Sequence, residues 1–250
     1  MLANLTLITP SLNSAATLED CIRSVASQSR PVAHVLIDGG SHDATLDIAS
    51  RYGGHFQQVT SAPDQGIYDA LNKGIGLAQS EIIGTLHADD LLADEQVIES
   101  VLDAFSDPEI DAVYGDLDYV DRVNPARIVR RWKAGDYSAG HFYQGWMPPH
   151  PTFCVRRRCF EQFGRYRLDL GTAADYELML RLLLVHGIRA QYIPRVLVKM
   201  RVGGASNASL LARMRAHRMD RKAWAVNGLS PRPWTLLAKP ARKMEQWWAR

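Results

Sequence analysis

A chain of 250 residues with 46% hydrophobic and 22% charged content can bury one sizeable core and carry an appendage. No uninterrupted apolar stretch approaches about 20 residues, and the first residues lack the basic patch and apolar run of a signal peptide, so a cytoplasmic protein without a spanning segment is expected. Cys21, Cys154 and Cys159 leave one thiol unpaired whatever the pairing, and none has zinc-ligand spacing, which fits a reduced setting.

In chain order, Leu5–Thr9 is a β-rich run that stops at Pro10-Ser11-Leu12-Asn13. Thr17–Ser29 follows with Leu18, Cys21, Ile22 and Val25 on one helical face. His34–Ile37 is a second strand, ending at Asp38-Gly39-Gly40-Ser41, and Asp43–Tyr52 a second helix. The stretch from Ser61 to Asp94 carries the most information: a polar turn, a helix over Ile67–Ala78, a strand over Glu81–Leu86, then His87-Ala88-Asp89-Asp90. Strands alternating with helices predict βαβ crossovers and a mainly parallel sheet. In such a sheet ligands bind beyond the carboxyl ends of the strands, where these three exits converge. Adjacent aspartates at one exit suit a divalent cation that bridges a diphosphate, since Mg²⁺ and Mn²⁺ prefer carboxylate oxygens and leave positions for phosphate and water.

Further along, Asp116 and Asp118 alternate off a strand and read as a solvated face. Met147-Pro148-Pro149-His150-Pro151 is a stiff turn before a strand over Thr152–Val155. Arg156-Arg157-Arg158 reads as a phosphate contact or a solvated helix start. Ala174–His186 is a helix with Leu178, Met179, Leu182 and Val185 on its buried stripe, and Asp175 heads that stripe. Glu177 falls on the opposite side, four residues before Arg181, where a surface ion pair is expected. Arg201 precedes Val202-Gly203-Gly204, a loop that could close over a diphosphate.

The ordered set TPSLN (Thr9–Asn13), IDGGSHDAT (Ile37–Thr45), DQGIYDALNKGI (Asp64–Ile75), LHADD (Leu86–Asp90), PPHPTFCVRR (Pro148–Arg157) and AADYELMLRL (Ala173–Leu182) resembles family 2 glycosyltransferases of the GT-A fold, most closely bacterial enzymes of polysaccharide and lipopolysaccharide assembly. The resemblance covers roughly the first four-fifths of the chain. It implies transfer of a sugar from a nucleoside-diphosphate sugar, with inversion, to a saccharide or lipid-linked saccharide. Thr9, Pro10 and Asn13 match the first nucleotide-binding loop and Asp38 the base-contacting aspartate. Asp89 and Asp90 match the metal motif, with Asp90 on the Mg²⁺ or Mn²⁺ and Asp89 on the ribose or metal. Asp175 matches the catalytic base. Asp64 and Lys73 are donor-side candidates, Asp64 with an equal claim to a turn or cap. His150 and Glu177 are acceptor-side candidates, and His87 a polar donor contact. Two positions depart from the family: Asp38-Gly39 supplies one carboxylate where relatives have a pair, and Leu71 stands where many carry arginine.

Inverting transfer needs a metal carboxylate for the leaving diphosphate and a separate carboxylate to deprotonate the acceptor, roles that Asp90 and Asp175 fill. A sugar-1-phosphate nucleotidyltransferase would need a glycine-rich basic loop after the first strand, and a dinucleotide-dependent dehydrogenase a GxGxxG; TPSLNSAATLED is neither. A non-catalytic sugar-nucleotide-binding assembly subunit is the remaining rival, and Asp89, Asp90 and Asp175 argue against it.

The net charge of +2 conceals an asymmetry. Residues 206–250 carry ten Lys or Arg against Asp220 and Glu245, or 10 − 2 = +8, which leaves 2 − 8 = −6 for residues 1–205. The division predicts a catalytic domain over 1–205 and a basic, tryptophan-bearing helical extension over 206–250. Leu210–Val226 and Thr235–Arg250 either lie on an anionic membrane face, placing the enzyme peripherally on the inner leaflet, or pack on the catalytic body or a second copy in a homo-oligomer. Nucleic acid is not an expected partner, because the basic run is short and no binding signature accompanies it.

Overall fold

The computed structural model describes residues 4–203 and 210–236. Its first half is a succession of strand and helix: β1 (Leu5–Ser11), α1 (Leu18–Ala26), β2 (Ala33–Asp38), α2 (Thr45–Arg51), β3 (Gln58–Ser61), α3 (Ile67–Leu77) and β4 (Ile82–Thr85). Every residue of β1 and β4 is buried, as expected of strands covered on both faces by crossover helices. The chain continues through β5 (Leu91–Leu92), α4 (Val97–Ala104), β6 (Ala112–Val120), β7 (Ile128–Trp132), α5 (Ala139–Tyr143), β8 (Cys154–Arg156), α6 (Arg157–Phe163), α7 (Ala174–Met179), β9 (Ala190–Arg201) and α8 (Leu210–Val226).

Among the described residues these strands form one sheet in the order β3-β2-β1-β4-β8-β6-β9-β5, with β7 paired to β6. β1 is parallel to β2 and β4, and β6 is parallel to β9. β8 lies antiparallel to both β4 and β6. An antiparallel strand between two others leaves those two running the same way. The carboxyl ends of β1, β2, β4, β6 and β9 therefore all reach one edge of the sheet, and the site is built there.

Helix α3 lies close over this edge. A Cβ added to Gly74 would stand 2.3 Å from Ile8 Cγ2, so only glycine lets the helix settle onto β1. Leu71 is wholly buried under it. The strand expected at Thr152–Val155 begins later, at Cys154, because a short 3₁₀ turn over His150–Thr152 intervenes.

The helix expected over Ala174–His186 is α7 followed by a π-helical turn, Leu180–Val185. The wider turn shifts the buried stripe, so Leu183 enters the core and Val185 does not. Glu177 is also not at the surface. It is 1% exposed and paired with Arg181 at 2.8 Å, because α8 covers the side of α7 that the periodicity assigned to solvent, and Asn227 Nδ2 reaches Glu177 Oε1 at 3.4 Å.

The basic extension begins as α8. Trp224 on this helix is buried and its Nε1 donates to the Tyr176 hydroxyl at 3.0 Å. Lys222 Nζ meets Asp169 at 3.0 Å. This part of the extension packs on the catalytic body, and Trp224 is withdrawn from any lipid interface. Thr235 anchors on the Tyr143 carbonyl at 2.7 Å. Trp247, Trp248 and the rest of the second expected helix lie outside the described residues.

Candidate active site

The loops after β1 and β2 are laced together by short polar side chains. Asn13 takes a left-handed conformation (φ 49°), tolerable for asparagine because its short amide bonds locally. Its N–H donates to Ser41 Oγ at 2.8 Å and its Oδ1 accepts from His42 N at 2.9 Å. Asn13 is exposed, whereas Thr9 and Pro10 are buried. Thr9 Oγ1 lies 2.8 Å from His34 Nε2, and His34 Nδ1 lies 2.8 Å from His55 Nε2. Burial pushes His34 down to about 3, so the pair is neutral.

Asp38 sits at the β2 exit but is enclosed. It accepts from Ser11 Oγ at 3.1 Å, Gly40 N at 3.0 Å, Ser41 N at 2.9 Å, Ser41 Oγ at 2.5 Å and Ser61 Oγ at 2.7 Å. Burial would raise its carboxyl, but the hydrogen bonds outweigh burial and hold it below the ordinary value. Such an aspartate shapes the loop and presents no surface to a base. Asp64 is partly exposed beside it. Its Oδ1 accepts from Gly66 N at 2.8 Å, an Asx turn leading into α3, and its Oδ2 lies 2.7 Å from where a Cβ on Gly39 would be. Lys73 meets Asp69 at 3.1 Å and the Pro63 carbonyl at 3.2 Å, on the same loop.

At the β4 exit, ligand atoms of His87, Asp89 and Asp90 lie within 4.8 Å of one another. Asp90 is 1% exposed; its Oδ1 accepts from Arg201 N at 3.3 Å, while Oδ2 has no hydrogen-bond partner. Thr85 Oγ1 and His87 Nε2 are likewise buried and unpaired. Unpaired buried polar atoms are rare and call for an explanation. Here burial, and then the neighbouring Asp89 charge, push the Asp90 carboxyl well above the usual range. Burial, and then His150, bring His87 down to about 4, so its ring is neutral and able to ligate. Two carboxylates, a neutral imidazole and an orphaned oxygen aimed inward fit a divalent cation of the Mg²⁺ or Mn²⁺ class.

Arg201 braces this cradle and is not a mobile lid residue. It is buried, with Nη1 donating to the Asp89 carbonyl at 2.9 Å, Nη2 to Asp20 at 2.5 Å and Nε to the Arg122 carbonyl at 3.1 Å. Its place at the end of β9, alongside β6, ties the far half of the sheet to the aspartate pair.

The other wall carries Asp175, partly buried at the start of α7. Its Oδ1 accepts from Tyr176 N at 2.7 Å. The Tyr68 hydroxyl, delivered by α3, hydrogen-bonds both the backbone and the carboxylate of Asp175. The Asp175 charge also acts on His87 and on Tyr166. His150 Nε2 and the Tyr166 hydroxyl are 2.7 Å apart, and the His150 and His87 rings are 6.0 Å apart. Burial brings His150 down to about 4. Asn72 holds Tyr166 from both sides, Nδ2 to its carbonyl at 2.9 Å and Oδ1 from its N–H at 3.0 Å. His87, Asp89, Asp90, His150 and Asp175 thus converge, with Tyr68 and Tyr166 between them. Neither tyrosine is singled out by the sequence; the only signal for Tyr68 was its position at the head of an amphipathic helix.

Other expectations are corrected. Glu177 is committed to Arg181 and Asn227 inside the fold and has no acceptor-facing surface. Of the Arg156–Arg158 run, Arg157 and Arg158 are exposed at the start of α6, the solvated helix start expected, whereas Arg156 is buried, donating to the carbonyls of Ile110 (2.6 Å), Phe105 (2.9 Å) and Asp107 (3.1 Å) and pairing with Glu81. Asp116 and Asp118 are buried because β6 is an interior strand, with Asp116 accepting from Tyr192 at 2.7 Å and Asp118 gripping Arg131 at 2.8 and 2.9 Å.

A family model described as glycosyl transferase family 2 matches residues 6–164, well over half of the chain. The chain belongs to that family. This family 2 glycosyltransferase is 31% identical over 211 residues to a PGL/p-HBAD biosynthesis glycosyltransferase of Mycobacterium bovis, covering 80% of this chain and 78% of the relative. It is 27% identical over 219 residues to the O-antigen biosynthesis protein RfbC of Myxococcus xanthus, covering 82% of this chain and 16% of that protein. Among solved structures, residues 1–349 of S. aureus TarS in complex with UDP-GlcNAc superpose with a TM-score of 0.70 at 16% identity, over 89% of this chain and 66% of that one. A mannosyltransferase of Pyrobaculum calidifontis in complex with GDP-Man and Mn²⁺ gives 0.67 at 18% identity, over 99% and 76%. The fold is GT-A. No helix among the described residues is long and apolar enough to cross a membrane.

Proposed function

We propose that this glycosyltransferase inverts the anomeric centre of a nucleoside-diphosphate sugar, a UDP-sugar first among the donors to test, as it transfers the sugar to a hydroxyl of a saccharide or lipid-linked saccharide. The observation that carries the reading is the orphaned Asp90 carboxylate in one cluster with His87, and a second, separately held carboxylate at Asp175 whose charge reaches that same His87. Direct displacement requires two such groups on opposite sides of the transferred sugar. Asp90, with Asp89 and His87, would hold a divalent cation, which when bound neutralises the charge developing on the leaving diphosphate. Asp175 accepts the acceptor hydroxyl's proton, and Tyr68 fixes the direction in which its carboxylate points. Asn13 and Asp64 line the nucleotide side; Thr9, Pro10 and Asp38 give that wall its shape; Lys73 sets the loop carrying Asp64. His150 with Tyr166 bounds the acceptor side as a neutral hydrogen-bonding pair.

The ligands bound in the structural neighbours, UDP-GlcNAc in one and GDP-Man with Mn²⁺ in the other, support a sugar nucleotide and a metal for this chain as well. The biosynthetic names of the relatives support polysaccharide or glycolipid assembly. A panel of UDP- and GDP-sugars screened by thermal shift with and without Mn²⁺ tests the reading. A donor present at about a hundredfold over its Kd should stabilise the protein by about 2.7 kcal/mol. Failure of every sugar nucleotide to shift the transition, with metal present, would overturn it.

A further inference from the structure

The strands β6 and β7 form a hairpin that leaves the sheet at the same edge as the site, because β6 runs parallel to β9 and its carboxyl end pairs Val120 with Arg201. Its turn is rigid. Asp121 Oδ1 accepts from Val123 N at 2.9 Å and Asn124 N at 3.0 Å, Asn124 Oδ1 accepts from Ala126 N at 3.1 Å, and Asp121 N donates to the Arg127 carbonyl at 2.9 Å. This self-bonded turn holds Val123 out at 90% exposure, the highest of any large apolar residue among those described, with Ile128 beside it at 47%. Residues 121–133 contain Arg122, Arg127, Arg130, Arg131 and Lys133 against Asp121, a local 5 − 1 = +4 in a body of −6. Arg122, Arg127 and Lys133 are exposed, while Arg131 is braced by Asp118 and Arg130 lies 3.7 Å over the Tyr119 ring.

We propose that this hairpin docks the enzyme on an anionic lipid surface, with Val123 and Ile128 entering the headgroup region and the arginines and Lys133 meeting lipid phosphate. A protein partner would need a broad surface, about 800 Å² on each side, with an apolar centre. A single exposed aliphatic tip on a segment of net +4 is narrow, and its exposure and charge match an interface between water and anionic headgroups. Arg201, which bonds the Arg122 carbonyl and the Asp89 carbonyl, links the hairpin base to the aspartate pair. Docking there turns the site-bearing edge toward the bilayer. That consequence for a lipid-linked acceptor rests on the functional reading above; the docking itself does not.

The test uses the full chain and no nucleotide, metal or acceptor, so its outcome is independent of the transferase assignment. Flotation is measured with vesicles of phosphatidylcholine alone and with added phosphatidylglycerol, at low and high salt. Binding should require the anionic lipid and weaken with salt. The double variants V123S/I128S and R122Q/R127Q should each lower partitioning at least about tenfold. A comparator, K239Q/R242Q/K243Q, changes cations of the C-terminal extension. If the hairpin variants bind like the parent while the comparator does not, or if the parent stays in solution at low salt, the proposal is overturned. Insertion is read separately with V123C carrying an environment-sensitive fluorophore, selective because Cys21, Cys154 and Cys159 are buried. A blue shift on adding anionic vesicles is expected, and unchanged emission overturns it.

Discussion

Replacing Asp90 by asparagine should change the protein's stability in opposite directions with and without metal. Without metal, the wild-type carboxylate is 1% exposed, one oxygen has no partner and Asp89 adds a like charge nearby. An unsatisfied buried group of this kind costs about 1–3 kcal/mol. Asparagine keeps the acceptor for Arg201 N but brings an amide N–H to a position where the present oxygen has no hydrogen-bond partner and His87 Nδ1 lies 3.9 Å away. The net relief is then about 1 kcal/mol, or roughly 2–4 °C in Tm for a chain of this size. With Mn²⁺ at about a hundredfold over Kd the wild type gains about 2.7 kcal/mol, roughly 5–10 °C, and the variant gains little. Differential scanning calorimetry in chelator and in Mn²⁺ measures both arms, and the order of the two melting temperatures should reverse between them. An equal Mn²⁺ shift in Asp90→Asn would refute the cradle; a variant less stable than wild type in chelator would refute the strain argument.

Asp175→Asn should bind the donor as wild type does while turnover falls by about 10²–10⁴, because the amide cannot take a proton at neutral pH; near-normal turnover in a defined donor and acceptor assay removes Asp175 from the chemistry. Tyr68→Phe removes only a hydroxyl that orients that carboxylate, so kcat should fall with little change in donor affinity; an unchanged kcat and pH–rate profile would leave Tyr68 a packing residue. His34 titrates in the fold at about 3 against an ordinary 6.5, so its stabilising contribution is complete above pH 6.5 and is lost as the pH falls toward 3. At pH 5 that loss amounts to roughly 2 kcal/mol, and urea unfolding of His34→Gln between pH 7 and pH 5 should be flatter than wild type by that amount, whereas parallel curves would refute it.

The strand exits were legible because buried parallel strands read as mostly apolar runs, and the runs here give way to Pro10, to Asp38 and to His87-Ala88-Asp89-Asp90. The position of Asp175, partly buried at the head of α7, was legible for a similar reason, since it heads an apolar helical stripe. What the sequence concealed was interior charge. Asp116, Asp118, Arg156, Glu177 and Arg201 all look like surface residues in a local window. Four of them meet a partner from far along the chain, Tyr192 to Asp116, Glu81 to Arg156, Asn227 to Glu177 and Asp20 to Arg201, and Asp118 meets Arg131 across the β6–β7 hairpin. Periodicity reports the two faces of a helix or strand, and it cannot report that a later segment will cover the polar one. The placement of α8 over α7 did that for Glu177, and β7 with the chain beyond it did so for β6.

The two departures from the family pattern have the same three-dimensional origin. Leu71 stands where the family pattern has arginine in many members, and here that position is wholly buried. The cation moves to Lys73, held outside by Asp69 and the Pro63 carbonyl. Gly39 lies where relatives carry a second carboxylate, and the volume that its side chain would fill is taken by Asp64 Oδ2. A Cβ at position 39 would make the Asp64 carboxylate shift, and an aspartate there would add a like charge close to it. The β3–α3 loop thus brings a carboxylate to the β2 exit from a different strand. Lys73 stays on α3 and bonds that loop through the Pro63 carbonyl, so a change of loop conformation that moves Asp64 also breaks the Lys73 contact.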